Sequence, residues 1–330
     1  MNLHNIAVVG CGGVSAMHFS GYAAHPERVA VVAACDPLPE RTEWARTKHG
    51  VPATFASIDE LLAGAEFEAA VVCTPSQVRE PVVAALAEAG KHVLAEKPLA
   101  DCYDEAARLV KICADAGVQL AVNQNFRDHY SFGIARSVID TGAIGTVRGI
   151  AHQELTFRQD RGWRLGMARH ALSVMGVHWF DGFRQLLDHD ADLISCRTYS
   201  SPAISCSGET DASVTIDFGP VTVSYVQSFS SRISRTETLV FGDSGTLRLE
   251  YDRVTRIGAD GDTEEWANPH SGAGKPESTF RSLARLLDAI DNSAEPGNSG
   301  QDNLKTIALL DGAYRSAAEH RPIALTGGLL

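Results

Sequence analysis

Two short stretches of this chain carry residues whose types and spacing suit redox chemistry. The first is Gly10-Cys11-Gly12-Gly13-Val14-Ser15, which follows the apolar run Ile6-Ala7-Val8-Val9 and opens a helical pattern. Gly10 permits a tight turn, and Gly12 lets the backbone approach a pyrophosphate seated on the N-terminus of that helix. Gly13, Val14 and Ser15 complete the loop. Ser15 stands where the fingerprint has its third glycine, so helix and strand should sit slightly further apart. Asp36 ends the next apolar run about twenty residues beyond Ser15, the interval expected of a carboxylate that binds the adenosine ribose hydroxyls. A glycine-rich turn followed by an Asp-Pro loop explains the glycines but not this combination. Asp36 would repel a 2′-phosphate, and Pro37-Leu38-Pro39 offers no cation. NAD is therefore expected over NADP, with Arg41 the nearby residue that could reverse the preference.

The second stretch is Val93-Leu94-Ala95-Glu96-Lys97-Pro98. It carries a strand to the carboxyl edge of its sheet, where ligands bind in open α/β architectures. Pro98 disfavours helix at Lys97 and leaves the lysine in an extended crook. A lysine near a cationic nicotinamide, or partly desolvated, can be tuned toward proton transfer. A surface lysine at a strand end accounts for the same residues equally well, and chemistry alone leaves the two readings level.

The elements that must position these residues follow from the apolar pattern. Segments 6–9, 29–35, 69–73, 92–95 and 120–122 read as buried strands, and 58–63, 78–89 and 104–116 as helices between them. Gly90 and Gly117 stand at the C-caps of the last two. Strands apolar on both faces and separated by helices mean a parallel, doubly wound sheet, a Rossmann domain over 1–123. The pattern changes over 124–330. A helix at 131–141 precedes long alternating strands at 147–158, 212–218 and 221–229, the last two a hairpin about Gly219-Pro220. Strands 238–241 and 246–249 pair across Gly242-Asp243-Ser244-Gly245. One face of these strands is apolar and the other small and polar, as in an open-faced, mainly antiparallel sheet. Helices 171–187 and 278–290 are expected to cover it, and a helix at 302–319 closes the chain, with room to pack back on the first domain.

Composition narrows the function. The chain has 330 residues, enough for two cores, and 29 Lys and Arg against 41 Asp and Glu give a net charge of −12. That field opposes nucleic acid. No apolar run is long enough to span a bilayer, and the N-terminal residues lack the pattern of a secretory leader. Seven cysteines without a CxxC pair argue against a disulfide framework or a zinc knuckle. A reduced, cytoplasmic protein without a metal is expected.

The run Glu96-Lys97-Pro98-Leu99-Ala100, followed by Glu105-Ala106, resembles the signature of the glucose–fructose oxidoreductase, inositol dehydrogenase and rhizopine-catabolism family. Gly90-Lys91-His92-Val93, Asn123-Gln124-Asn125-Phe126-Arg127, Gly142-Ala143-Ile144-Gly145, Gly242 to Leu247 and Tyr314-Arg315-Ser316-Ala317 match it in order. The resemblance implies a Rossmann domain followed by an open-faced sheet through which subunits associate, as a homodimer or homotetramer. It implies an NAD(P)-dependent enzyme acting on a small polyhydroxylated substrate, a sugar, cyclitol or related carbonyl. Lys97 would be its catalytic or substrate-orienting lysine. Glu96 would contact the nicotinamide half of the cofactor, Thr74-Pro75 would border its adenosine and pyrophosphate, and Asn125 is grouped with them. Gly176-Val177-His178-Trp179-Phe180-Asp181 resembles the second catalytic segment, with His178 facing the nicotinamide. Arg127, Arg164, Val174 and Asp181 are expected at the substrate.

Two departures stand out. Many relatives carry an aspartate four residues before the histidine, where this chain has Val174, so Lys97 becomes the expected proton acceptor. Relatives often have Asn and His where this chain has Ser76 and Arg79. Besides a dehydrogenase, two readings remain open: redox-neutral elimination or epimerisation with tightly bound NAD, and a non-catalytic dinucleotide-sensing regulator.

Overall fold

The apolar runs of the first third become strands because both faces of each are covered. The computed structural model describes residues 2–269 and 274–325. In it β1 (His4–Val9), β2 (Val29–Cys35), β3 (Ala53–Phe55), β4 (Ala69–Val72), β5 (His92–Ala95) and β6 (Leu120–Val122) form a parallel sheet in the order β3-β2-β1-β4-β5-β6. The central strands β1 and β4 are buried along nearly their whole length, as parallel strands between helical layers must be. Helices α1 (Ser15–Ala23), α2 (Pro39–His49), α3 (Ile58–Gly64), α4 (Arg79–Glu88) and α5 (Tyr103–Asp115) make the crossovers. Helix α2 and strand β3 had no counterpart in the sequence reading.

The second sheet begins after α6 (Tyr130–Asp140) with β7 (Val147–Phe157). A π-helical turn, Leu172–Gly176, runs into α7 (Val177–Leu187), and β8 (Leu193–Tyr199), β9 (Asp211–Phe218), β10 (Val221–Ser228), β11 (Ser230–Gly242), β12 (Gly245–Leu249), β13 (Arg253–Gly258) and β14 (Thr263–Ala267) follow. The hairpins β9–β10 and β11–β12 close at the expected turns. Strand β7 lies between β11 and β10 and runs parallel to β10, so the sheet is mixed though mainly antiparallel. Alternation decides which face is covered. Val221, Val223 and Tyr225 point to the buried side, where Trp179, Phe180 and Phe183 of α7 meet the rings of His152 and Tyr225, while Thr222, Ser224 and Val226 stay exposed.

The helix expected at 278–290 is real but covers a different sheet. It is α8 (Gly274–Asn292), and its Phe280, Leu283, Leu286 and Leu287 join Ile6, Val8, Phe19, Tyr22 and Leu94 in the core of the parallel sheet. Helix α9 (Gly300–Glu319) and β15 (Ile323–Ala324) complete the described chain, with β15 pairing on β8. The two compact units are consequently discontinuous, Met1–Asn125 with Ala273–Leu304 and Phe126–Gly272 with Lys305–Leu330, instead of meeting once at 123/124. The physical reason is the apolar face of α8, which packs on α1 and β6.

Leu286 is fully buried in that core. Leu286→Ala should therefore destabilise the protein by about 2–5 kcal/mol, the cost of a cavity at a packed site. Denaturant unfolding would measure it. A change under about 0.5 kcal/mol, normal for surface positions, would show that α8 does not cover this sheet.

Candidate active site

The strand order reverses between β1 and β4, which opens a crevice at their carboxyl ends. Gly10 leaves β1 with φ of +89°, and a Cβ on it would stand 3.0 Å from the backbone C of Cys73 and N of Thr74. Only glycine lets the two strand-end loops approach so closely. At Gly12 the nearest neighbour to such a Cβ would be Arg41 Nη1 at 3.8 Å, and around Gly13 the space is open. Val14, partly buried, packs against the core, and Ser15 turns its hydroxyl onto the Gly12 carbonyl at 2.6 Å. Asp36 is buried, and its carboxylate accepts the Cys11 N–H at 2.8 Å and the Leu38 N–H at 3.0 Å. It thus fixes the glycine loop while ending β2. Arg41 lies 3.5 Å from the same carboxylate. Thr74 Oγ1 is buried without a hydrogen-bond partner, and Pro75 leads into the next turn. An open glycine cradle, an ordered acid at the second strand and an unmet hydroxyl beside the crevice fit a dinucleotide.

One strand over, β5 delivers Glu96, Lys97 and a cis Lys97–Pro98 peptide. Glu96 is 5% exposed. Its Oε1 accepts from His18 Nε2 at 2.8 Å and Asn123 Nδ2 at 2.6 Å, and its Oε2 accepts the Lys97 N–H at 3.2 Å. His18 Nδ1 in turn meets the Tyr22 hydroxyl at 2.7 Å. Burial works to raise the Glu96 carboxyl, but the hydrogen bond and charge of His18, the Lys97 charge and the Asn123 hydrogen bond outweigh it and hold it at about 2. Asn125, expected at the cofactor, donates from Nδ2 to Ser278 Oγ at 3.2 Å. The departures from the family pattern also find partners: Ser76 donates to Asp101, joined by Gln77 at 2.6 Å, and Arg79 is buried beneath the lysine crook.

In the second unit α7 presents His178, 5% exposed, with the Phe126 ring stacked on it at 4.0 Å and 16° between planes. Asp181 and Arg127 are brought together as a buried ion pair. The guanidinium donates from Nε and Nη2 at 2.7 Å each, and Thr306 Oγ1 adds a third bond to Asp181 at 2.8 Å. Val174 is packed with Met167, Ala171 and Phe229. This apolar cluster is its setting. Arg164 remains 40% exposed, 3.9 Å from Asp160. His170, two turns before His178, is committed to Asp160 at 3.0 Å, and Glu209 caps this helical start through the N–H groups of His170 and Leu172. His152 is a packing residue, pushed by burial down to about 3. Among the described residues no group of three or more His, Cys, Asp or Glu is arranged to hold a metal.

Residues 4–124 match the model of an oxidoreductase family with an NAD-binding Rossmann fold, and residues 132–248 match the GFO/IDH/MocA C-terminal domain. The chain belongs to the GFO/IDH/MocA oxidoreductase family. It is an NAD-binding oxidoreductase, and its first unit is the NAD-binding one. Curated relatives include a D-apiose dehydrogenase of Rhizobium rhizogenes, 27% identical over 96% of both chains. An inositol 2-dehydrogenase of Rhizobium meliloti is 27% identical over 96% of this chain and 98% of that one. Among solved structures, levoglucosan dehydrogenase in complex with NADH and levoglucosan superposes with a TM-score of 0.88 at 18% identity, covering 98% of this chain and 100% of that one. That likeness speaks to the fold.

Sequence reasoning gave no supporting role to His18, Tyr22, Asn123, Arg79 or Phe126, which contact the candidate residues of this GFO/IDH/MocA chain directly or, for Tyr22, through His18. His18 carried a usable signal. It lies one helical turn beyond Ser15, on the helix that opens at the glycine loop, and its i+4 partner is Tyr22. Folding depresses the Glu96 carboxyl from 4.5 to about 2. Its contribution to stability is therefore complete above 4.5 and lost as pH falls through 2. Glu96→Gln should lower the thermal midpoint at neutral pH, with the gap from wild type closing as the pH is taken down through that window. A gap that stays constant across the titration would refute the buried, ionised carboxylate.

Proposed function

We propose that this chain oxidises a secondary alcohol of a sugar, cyclitol or related polyol with NAD⁺, or runs the reverse reduction. The observation that carries the proposal is the lysine crook. Lys97 follows β5 at the carboxyl edge of an NAD-binding sheet, with its backbone N–H fixed by a buried carboxylate. The names of the curated relatives, dehydrogenases of apiose and inositol, support the substrate class. Gly10, Gly12, Gly13, Val14 and Ser15 would seat the pyrophosphate, Asp36 the adenosine ribose, and Thr74 and Pro75 the flank between them. When bound, the nicotinamide supplies the hydride acceptor. Lys97 takes the hydroxyl proton as the alcohol is oxidised, and His178 holds that hydroxyl by a hydrogen bond. Asp181 serves by holding Arg127 and the Phe126 ring behind the histidine, and Arg164 is left as the exposed cation for the substrate's rim. On this reading the first unit binds cofactor and the second binds substrate.

A second copy of the chain is proposed as the partner of the open sheet face. Across it, Ser224 registers with Ala151 and Thr215, and Val226 with Gln153 and Ser213. This is a platform of small side chains, edged by the 43%-exposed Val226 and the 40%-exposed Phe241. A closed dimer or tetramer would bury it. The expected compartment is the cytoplasm, in keeping with seven free cysteines. Among the described residues no helix is long and apolar enough to cross a membrane.

The decisive experiment is a panel of sugars, sugar acids and cyclitols with NAD⁺ and NADP⁺, read as formation of reduced cofactor. A substrate is expected with NAD⁺. Activity confined to NADP⁺ would move the cofactor preference to Arg41, and product without net NADH would favour redox-neutral chemistry. Lys97→Ala should cut kcat by about 10²–10⁴ while NADH binding persists. The rise of kcat/KM with pH should vanish in Lys97→Ala and survive in His178→Asn. Loss of that limb in His178→Asn would make the histidine the base. For assembly, sedimentation of wild type should show a dimer or larger species, and Val226→Arg should shift it toward monomer. A wild-type monomer at micromolar concentration would end the self-association proposal.

A further inference from the structure

Arg79 is the first residue of α4, yet only 2% of it is exposed. An arginine at the first turn of a surface helix ordinarily reaches for solvent; this one turns inward. Its Nη1 donates to the Glu96 carbonyl at 2.6 Å, the Leu99 carbonyl at 2.9 Å and the Pro98 carbonyl, and its Nη2 donates to the Thr74 carbonyl at 2.6 Å. All four acceptors are main-chain oxygens of two strand-end loops. Three of them bracket Lys97, and the fourth belongs to the loop that Gly10 touches. Burial pulls the guanidinium down to about 10, against the nearby charge of Glu96, so it remains protonated at neutral pH.

We infer that Arg79 is a positioning residue for Lys97: its guanidinium ties the β4 loop, on the cofactor side, to both peptide flanks of the lysine. The inference rests on Lys97 being the proton-handling group proposed above. Two arguments favour this role over simple packing. First, the chain already has hydrogen bonds from β4 to β5 through the sheet, so nothing in the ladder requires a buried cation at the edge. Second, strand-end loops leave main-chain oxygens without ladder partners, and a planar fork of donors is the side chain that can gather several at once. A histidine has two ring nitrogens and a shorter reach. It could not gather four carbonyls. In this chain the two loops are therefore set by one side chain, and the aim of Lys97 is set with them.

The test uses the intact chain and the best substrate from the panel. Arg79→Ala and Arg79→Lys are compared with wild type for thermal midpoint, NADH affinity and kcat, with and without millimolar guanidinium. A misaimed proton acceptor should cost about 10²-fold in kcat while NADH affinity changes by about threefold or less. Guanidinium should restore part of the lost kcat in Arg79→Ala, while an equal concentration of sodium chloride should not. It should do nothing for Lys97→Ala. If Arg79→Ala does not fold, Arg79→Lys carries the comparison, since its ammonium keeps the charge but not the fork. A readout independent of turnover is the rate at which an acylating reagent labels Lys97, followed by mass spectrometry against Lys91 as internal reference. That rate should change several-fold in either variant. Unchanged kcat and unchanged Lys97 labelling in folded variants would overturn the inference. So would a kcat that falls only with the folded fraction and ignores guanidinium. A wild type that makes no reduced cofactor on any substrate would overturn the proposed function instead, leaving the labelling to decide the role of Arg79.

Discussion

A single buried carboxylate organises the NAD-binding unit. Removing an ion such as Glu96 from water costs several kcal/mol unless partners replace the lost solvation. Here the replacement comes from three directions. His18 reaches it from the helix that starts at the glycine loop, Asn123 from the end of β6, and the Lys97 N–H from the crook itself. The charge can be tolerated only if all three elements hold their places. The same requirement that keeps Glu96 ionised therefore keeps the glycine cradle and the lysine in fixed relation. Arg79, a buried cation nearby, closes the arrangement from the opposite loop and leaves little freedom at the carboxyl edge.

The second unit solves a similar problem with a different pair. Arg127 and Asp181 are 8% and 1% exposed, and breaking such a pair from one side leaves an uncompensated charge worth about 3–5 kcal/mol. The pair anchors the segment that carries Phe126, whose ring lies flat on His178. The imidazole is thus oriented by packing on one face. An aromatic plane stands beside the histidine, and Val174 lies in an apolar cluster a turn away. Orientation is retained while the acid is not, which is consistent with a histidine that holds a hydroxyl and a lysine that moves its proton.

How much of this was legible depended on the range of the interactions. Strands β1, β2, β4, β5 and β6 were plain because a parallel strand buried on both faces is an unbroken apolar run, and the hairpins were plain because glycine turns interrupt alternation. Helix α2 was not, since Pro39-Glu40-Arg41-Thr42-Glu43-Trp44 is polar nearly all round and buries only Ala45 fully. Strand β3 is three residues at the sheet edge, below the length at which periodicity speaks. The amphipathic face of α8 was visible, but a stripe of leucines does not say which core receives it. Gly10, Asp36, Lys97 and His178 could be named as candidates because they leave local marks or match a family pattern. Asp181 and Arg127 were expected at a ligand because charge near a catalytic segment looks functional in sequence. Their mutual burial becomes visible only when residues 54 positions apart are brought together.

Arg79 shows the same limit from the other side. In sequence it stood only as a departure from the family pattern that the chain resembles. In the fold it is a gain: four carbonyls that a histidine could not gather are held by one guanidinium. Ser76, the neighbouring departure, bonds Asp101 on the segment that follows the lysine crook, so both changes strengthen ties between the β4 and β5 loops. The two departures then belong to one rearrangement. Ser76 and Arg79 both tie the loop after β4 to the segment after β5 at the edge of the crevice. On the proposed function, in which Lys97 handles the proton, the β4 loop is bound to the flanks of the lysine by hydrogen bonds from the Arg79 guanidinium to main-chain carbonyls.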